Sequence, residues 1–302
     1  MGTRRTLLID AFADEPLAGN AAGLVPDADG LDADRMRAIA RELNASETAF
    51  LTPDADDDVD RRIRYFTPKQ EVDLCGHATI ASLVHLHDAG ELDAGEGRLR
   101  TNAGVVDVEV TDDGVAWMGT SEPSVEVVDL DYDRAGEALG IDPAAMRDVG
   151  ADLPAAVATV GLPFLIVPVN FLERLGDAAP EMAAVEELAA EYGATGVYAF
   201  TFDALDAEST LHARMWAPGA GVPEDPVTGT ASGACGAYLH TVDAFDDPPG
   251  EMRFEQGHFV DRPGVVRVEV DDGDVRVGGR AVTALDGMLA VPPADDDDIL
   301  EA

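Results

Sequence analysis

Two segments of this chain are built to one pattern. Glu71-Val-Asp-Leu-Cys75-Gly76-His77-Ala78 aligns with Glu224-Asp-Pro-Val-Thr228-Gly229-Thr230-Ala231, both reading Glu-x-x-x-(Cys or Thr)-Gly-x-Ala, 153 positions apart in a chain of 302. Each opens a run almost free of charge, Ala78 to Leu86 and Ala231 to Leu239. A helix that is apolar all round has to be enclosed by other elements. Two enclosed helices half a chain apart point to two related halves, each wrapping strands around one central helix.

The flanking patterns agree with that arrangement. Thr6 to Ala11, Ser46 to Leu51 and Arg62 to Phe66 read as strands, with a helix over Asp32 to Leu43 and a hairpin across Asp112-Asp113-Gly114. The same order returns as strands at Ala155 to Gly161, Leu165 to Val169, Gly196 to Phe202 and Thr210 to Trp216, with a helix over Pro180 to Tyr192. Strands at 251–256, 265–270 and 275–277 follow, and the stretch 122–129 reads as a crossover. The expected division is 1–122 for the first half, joined by a final strand near 281–292, then 123–280 for the second half, and an acidic tail at 293–302.

Charge limits the partners. Sixty Asp and Glu stand against twenty Lys and Arg, of which Lys69 is the one lysine, giving a formal charge of −40. Such a field repels nucleic acid and anionic membrane and is tolerable when salt screens it, so we expect a halophilic protein. Acidic runs such as Asp54 to Asp60 read as solvated surface. No apolar stretch approaches a membrane span, and the N-terminus lacks the features of a signal peptide, which predicts a cytoplasmic protein. Cys75 and Cys235 form no CxxC pair, and six scattered histidines show no metal-ligand spacing, so no metal is expected.

The matched helix starts are where chemistry is expected. A helix N-terminus offers unpaired N–H groups and partial positive charge, and two such ends, around Gly76–Ala78 and Gly229–Thr230, would clasp a carboxylate from opposite sides. The bland alternative is that Gly76 and Gly229 only permit tight turns. Cys75 and Thr228 occupy equivalent places. Paired thiols there could work as a two-base racemase, but a Thr228 hydroxyl is too weak an acid or base. Cys75 is then either a thiolate activated at a helix start or a small core residue. Glu47, among small and apolar neighbours, suits a general acid-base group, or is an exposed strand-edge glutamate. His77 and Asp225 sit beside the two helix starts and could complete a proton relay; His77 could equally be a cap or core residue.

These residues carry a family resemblance. Asp10-Ala-Phe12 through Gly19-Asn20, Ser46-Glu47-Thr48-Ala-Phe50, Arg64-Tyr-Phe66-Thr-Pro68 through Cys75-Gly76-His77-Ala78, and Glu224-Asp225-Pro226-Val-Thr228-Gly229-Thr230-Ala231 resemble the PhzF-like proteins of phenazine biosynthesis, within the diaminopimelate epimerase-like fold. Gln256-Gly257 followed by Arg262-Pro263 is a weaker fifth match. The resemblance implies an α+β fold of two similar domains, each a mixed β-barrel-like sheet around a buried helix, with the active site in the cleft between them. It implies a homodimeric isomerase that shifts a proton on a small carboxylated substrate without metal or organic cofactor. Glu47 matches the family's acid-base glutamate, and His77, Asp225 and Thr230 match supporting positions, Thr230 standing where the type enzyme has Ser. Asn20, Cys75, Gly76, Ala78, Thr228 and Gly229 complete the implied substrate-binding set. The remaining readings are a dehydratase or epimerase dependent on Cys75, and a carboxylate-binding protein without catalysis.

Overall fold

The computed structural model describes residues 2–149 and 153–292, so the tail expected at 293–302 lies outside the described residues. The first stretch runs β1 (Gly2–Ala11), β2 (Asn20–Val25), α1 (Ala33–Leu43), β3 (Thr48–Thr52), β4 (Arg61–Phe66), β5 (Glu71–Val72), α2 (Gly76–Asp88), β6 (Gly95–Thr101), β7 (Gly104–Val110) and β8 (Ala116–Gly119). There follow β9 (Ser124–Val127), α3 (Tyr132–Leu139), α4 (Pro143–Arg147), β10 (Ala156–Thr159), β11 (Pro163–Pro168), α5 (Leu172–Gly176), α6 (Met182–Glu191), β12 (Gly196–Thr201) and β13 (Leu211–Ala217). The chain continues through β14 (Val222–Asp225), α7 (Gly229–Thr241), β15 (Met252–Gln256), β16 (Gly264–Asp271), β17 (Asp274–Gly279) and β18 (Ala281–Val291).

Strand pairing repeats along the chain. β1–β2, β3–β4, β6–β7 and β7–β8 are antiparallel, while β2–β3 and β4–β6 are parallel. The same alternation recurs for β10–β11, β12–β13, β15–β16 and β16–β17 against β11–β12 and β13–β15. Parallel neighbours require a crossover, and the helices supply it, with α2 between β4 and β6 and α7 between β13 and β15. The result is one mixed 18-stranded sheet with helices packed on it, an α+β fold. β8 pairs with β17, β9 pairs forward with β10, and β18 returns to β1, so the two series exchange their last strands.

Enclosure of the two uncharged helices has a local cause. α7 is buried from Ala231 to Leu239, and its small residues let strands approach its backbone. A methyl group on Gly236 would lie 2.5 Å from Cγ1 of Val268 on β16, so only glycine fits. α2 is buried from Ala78 to Leu86 and packs on β1, β2, β8 and β18. α1 instead is amphipathic, burying Met36, Ile39 and Ala40, with Asp32 as its N-cap outside the helix.

Other expectations need correction. The stretch 122–129 is not a bare crossover; it contains β9, whose register with β10 runs from Ser124 opposite Thr159 to Val127 opposite Ala156. β6 carries no marked run in the sequence and is held by its neighbours β4 and β7, whereas α3 has its signals in place, with Asp131 as N-cap, Gly140 as a left-handed C-cap and Ala135, Ala138 and Leu139 buried. The acidic run 54–60 is not uniformly solvated, because the Asp54 side chain is 6% exposed and accepts from Arg100 Nε at 2.8 Å.

Candidate active site

The matched segments place two helix starts face to face. Cys75 and Thr228 are the N-caps of α2 and α7, both extended, and neither caps its helix with its side chain. The first intrahelical bonds are donated by Thr79 to Cys75 O and by Ser232 to Thr228 O, each 3.0 Å. The N–H groups of residues 76–78 and 229–231 therefore have no acceptor within their own helices, and both ends carry partial positive charge. A methyl group on Gly76 would lie 3.9 Å from Thr230 Oγ1, which sets the spacing between the two ends. Phe12 packs so close to α7 that a methyl group on Gly229 would meet its Cζ at 3.0 Å.

On the α2 side, Glu47 immediately precedes β3, and its carbonyl is pinned by Gly23 N–H at 2.9 Å. Glu47 Oε2 lies 3.5 Å from His77 Nε2, with side chains 23% and 12% exposed respectively. Ser46 Oγ is 3.3 Å from the same nitrogen, and Cys75 Sγ is 3.4 Å from His77 Nδ1. Glu47 is thus not an isolated strand-edge residue. Burial, and then the nearby Glu47 carboxylate, push the Cys75 thiol well above its ordinary value. A thiol raised in this way and 9% exposed favours the small buried residue over a free activated thiolate.

On the α7 side, Asp225 is the centre. Its Oδ1 accepts from Asn20 Nδ2 at 2.9 Å and its Oδ2 from Thr228 Oγ1 at 2.5 Å. Burial raises the Asp225 carboxyl, opposed by the Thr228 hydrogen bond, the field of His77 and the Asn20 bond, and reinforced by Glu47. The influence of His77 and Glu47 on Asp225 joins the two sides into one electrostatic unit. Gln256 at the end of β15 closes the cluster. Its Nε2 donates to Asp225 O at 2.7 Å and Thr228 Oγ1 at 3.1 Å, while its Oε1 accepts from Thr228 N–H at 3.1 Å. Sequence reasoning left Gln256 out of the site; the available signal was the Gln256-Gly257 pair. Thr230 is half-buried at the facing end, and Ala78 is buried, able to offer only its backbone.

The glutamate common to both segments does something else. Glu71 on β5 receives Arg64 through Nε at 2.7 Å and Nη2 at 2.9 Å, while Glu224 on β14 receives Arg214 through the same two atoms at 2.8 Å each. Each arginine also lies over an aromatic ring two residues on, Arg64 over Phe66 and Arg214 over Trp216. These forked, ring-stacked pairs fix the loops that lead into α2 and α7. Arg262 does the same for the loop before Asn20, bonding Asp10 Oδ1 and the carbonyls of Ala18 and Gly19.

The fold also gathers donors that sequence spacing does not show. Glu47, Cys75 and His77 each offer a ligand atom within 4.8 Å of the others.

Comparison with known proteins gives the family and the fold. Residues 9–287 match the family described as phenazine biosynthesis-like protein. An uncharacterized isomerase of Mesorhizobium japonicum is 37% identical over 96% of this chain and 100% of its own length. An uncharacterized isomerase of Bacillus subtilis is 34% identical over 96% and 100%. A PhzF-family phenazine biosynthesis protein of Bacillus anthracis has a similar structure, with a TM-score of 0.86 at 30% identity over 96% of this chain and 100% of that one. A probable proline racemase of Agrobacterium radiobacter shares the fold at 15% identity, with a TM-score of 0.62 over 97% and 94% of the two chains. Together these comparisons support an isomerase. Among the described residues, no helix is long and apolar enough to cross a membrane.

Proposed function

The chain belongs to the phenazine biosynthesis-like (PhzF) family, and from that premise we propose that it is a cofactor-independent isomerase that moves one proton along a small carboxylated substrate. In this reading residues 1–122 with 281–292 form one domain and 123–280 its counterpart, each a barrel-like sheet around its helix. The substrate lies in the cleft between them. The N–H groups that open α2 and α7 bind its carboxylate, where the negative charge of the chain would otherwise repel it. Glu47, as carboxylate, takes a proton from carbon; the electron pair moves through the conjugated system, and Glu47 returns the proton to another carbon. His77 holds Glu47 in place, and Asp225 with Asn20, Thr228 and Gln256 shapes the opposite wall.

The observation that carries this reading is the 3.5 Å approach of Glu47 Oε2 to His77 Nε2 beside a helix start without a side-chain cap. A metabolite screen by NMR in heavy water at molar salt tests it. Deuterium should enter a carbon of a small carboxylic acid, and Glu47→Gln should slow that exchange by about 10²- to 10⁴-fold. Unchanged exchange in Glu47→Gln would remove the assignment. Tight binding of an acid with no exchange at any carbon would mean a binding protein instead.

A second reading rests on the 3.4 Å approach of Cys75 Sγ to His77 Nδ1. If His77 took the thiol proton, Cys75 could act as the base of a dehydratase or epimerase. Inactivation by iodoacetamide that substrate prevents would select it.

A further inference from the structure

Away from the cleft, two histidines and a glutamate meet on β13, β15 and the turn beyond. His212 and Glu255 are direct partners across the parallel β13–β15 pair, 0% and 2% exposed in their side chains. Glu255 accepts from Leu205 N–H at 2.9 Å, Asp206 N–H at 2.7 Å and His212 Nδ1 at 2.9 Å. Glu255 Oε2 faces Nδ1 of His212, so Nε2 is the ring nitrogen turned away from the carboxylate. That Nε2 is buried with no partner among the described residues, and so is Nδ1 of His258.

Two buried, unpartnered imidazole nitrogens in one place are a costly arrangement unless something fills the space between them. The ring centroids are 4.9 Å apart and inclined at 49°. Two imidazoles on one tetrahedral ion, each with a metal–nitrogen bond of about 2 Å, place their centroids roughly 5 Å apart. One ligand atom from each of His212, Glu255 and His258 lies within 4.8 Å of the others. The Phe259 ring, 5.3 Å from His212, covers the group, and the Arg214 charge above that ring is taken up by Glu224.

We propose that His212 Nε2 and His258 Nδ1 bind a divalent transition-metal cation of the zinc, cobalt or nickel kind, with Glu255 fixing the ring and tautomer of His212. A carboxylate behind a ligating histidine is the usual support of such sites. Imidazole donors select these ions over magnesium and calcium, which take oxygen. Water completes the coordination on the side of half-buried His258. The ion would clamp the turn after β15, the strand that ends in Gln256, without entering the reaction.

The test uses the full chain stripped with chelator, in molar KCl with excess Mg²⁺ to occupy the acidic surface, titrated with Co²⁺ and followed by visible absorption and X-ray absorption. One equivalent should bind with a nitrogen and oxygen shell, no thiolate charge-transfer band, and displacement by Zn²⁺. His258→Gln should abolish binding while leaving the metal-free melting temperature unchanged, and Glu255→Gln should weaken binding roughly 10- to 100-fold. Binding lost in Cys75→Ala and kept in His258→Gln would put the ion at the other cluster and overturn the proposal. So would the absence of stoichiometric binding, in which case water satisfies the two nitrogens.

Discussion

The Thr228 hydroxyl donates to Asp225 Oδ2 across 2.5 Å, and Gln256 Nε2 holds the same hydroxyl from the other side at 3.1 Å. With its proton committed to a carboxylate, Thr228 is a fixture of the wall and not an acid or base. Thr228→Val should leave Asp225 short of a donor and lower stability by about 1–3 kcal/mol, with Thr228→Ser close to the parent. Thermal melting of the two variants checks this; loss in Thr228→Ser with none in Thr228→Val would mean that the methyl group matters and the hydroxyl does not.

Cys75 should be slow to alkylate. With its thiol raised by burial and by Glu47, little thiolate exists at pH 8. Iodoacetamide should label the native protein more than about tenfold more slowly than an exposed cysteine, and at the ordinary rate after unfolding. Cys75→Ala should keep most of the exchange activity.

The two Arg–Glu forks should differ in strength. Arg214 and Glu224 have side chains 8% and 15% exposed, against 22% and 28% for Arg64 and Glu71. Removing one partner of a buried pair strands the other, so Glu224→Ala should cost about 3–5 kcal/mol. Glu71→Ala, better screened by water, should cost no more than about 2 kcal/mol. Denaturant titration of both variants gives the comparison, and equal costs would show that exposure does not set the difference.

Acid stability should depend on Glu255. Its carboxyl lies at about 2 against 4.5 for the ordinary group. Because the folded value is depressed, the stabilisation is complete above pH 4.5 and is lost as pH falls towards 2. It amounts to about 3 kcal/mol. Asp225, raised by burial, has the opposite sign, losing stability as pH rises from 3.8 through its folded value. In metal-free protein, Glu255→Gln should flatten the fall in melting temperature between pH 4.5 and 2.

A formal charge of −40 should make stability rise with ionic strength as repulsion is screened. A melting series from zero to molar KCl should climb throughout. Full stability without added salt would remove the case for halophilic adaptation.

The repeated Glu-x-x-x-(Cys or Thr)-Gly-x-Ala segments and the uncharged runs behind them settled a good deal in advance. A helix without a polar face has to be enclosed, so the starts of α2 and α7, with Gly76 and Gly229, were legible from local pattern. β9 and β6 were not, because a short half-exposed strand takes its identity from the strand beside it. The roles of Glu71 and Glu224 were hidden too: a glutamate looks the same in sequence whether it faces a substrate or an arginine fork. Approach of Glu47 to His77, Gln256 closing on Asp225 and Thr228, and the meeting of His212 with His258 all join residues on different elements. Such contacts follow from sheet register and crossovers, which local residue preference does not encode. The chain's own pattern determined what must be buried, and the tertiary structure alone decided which polar groups would meet there.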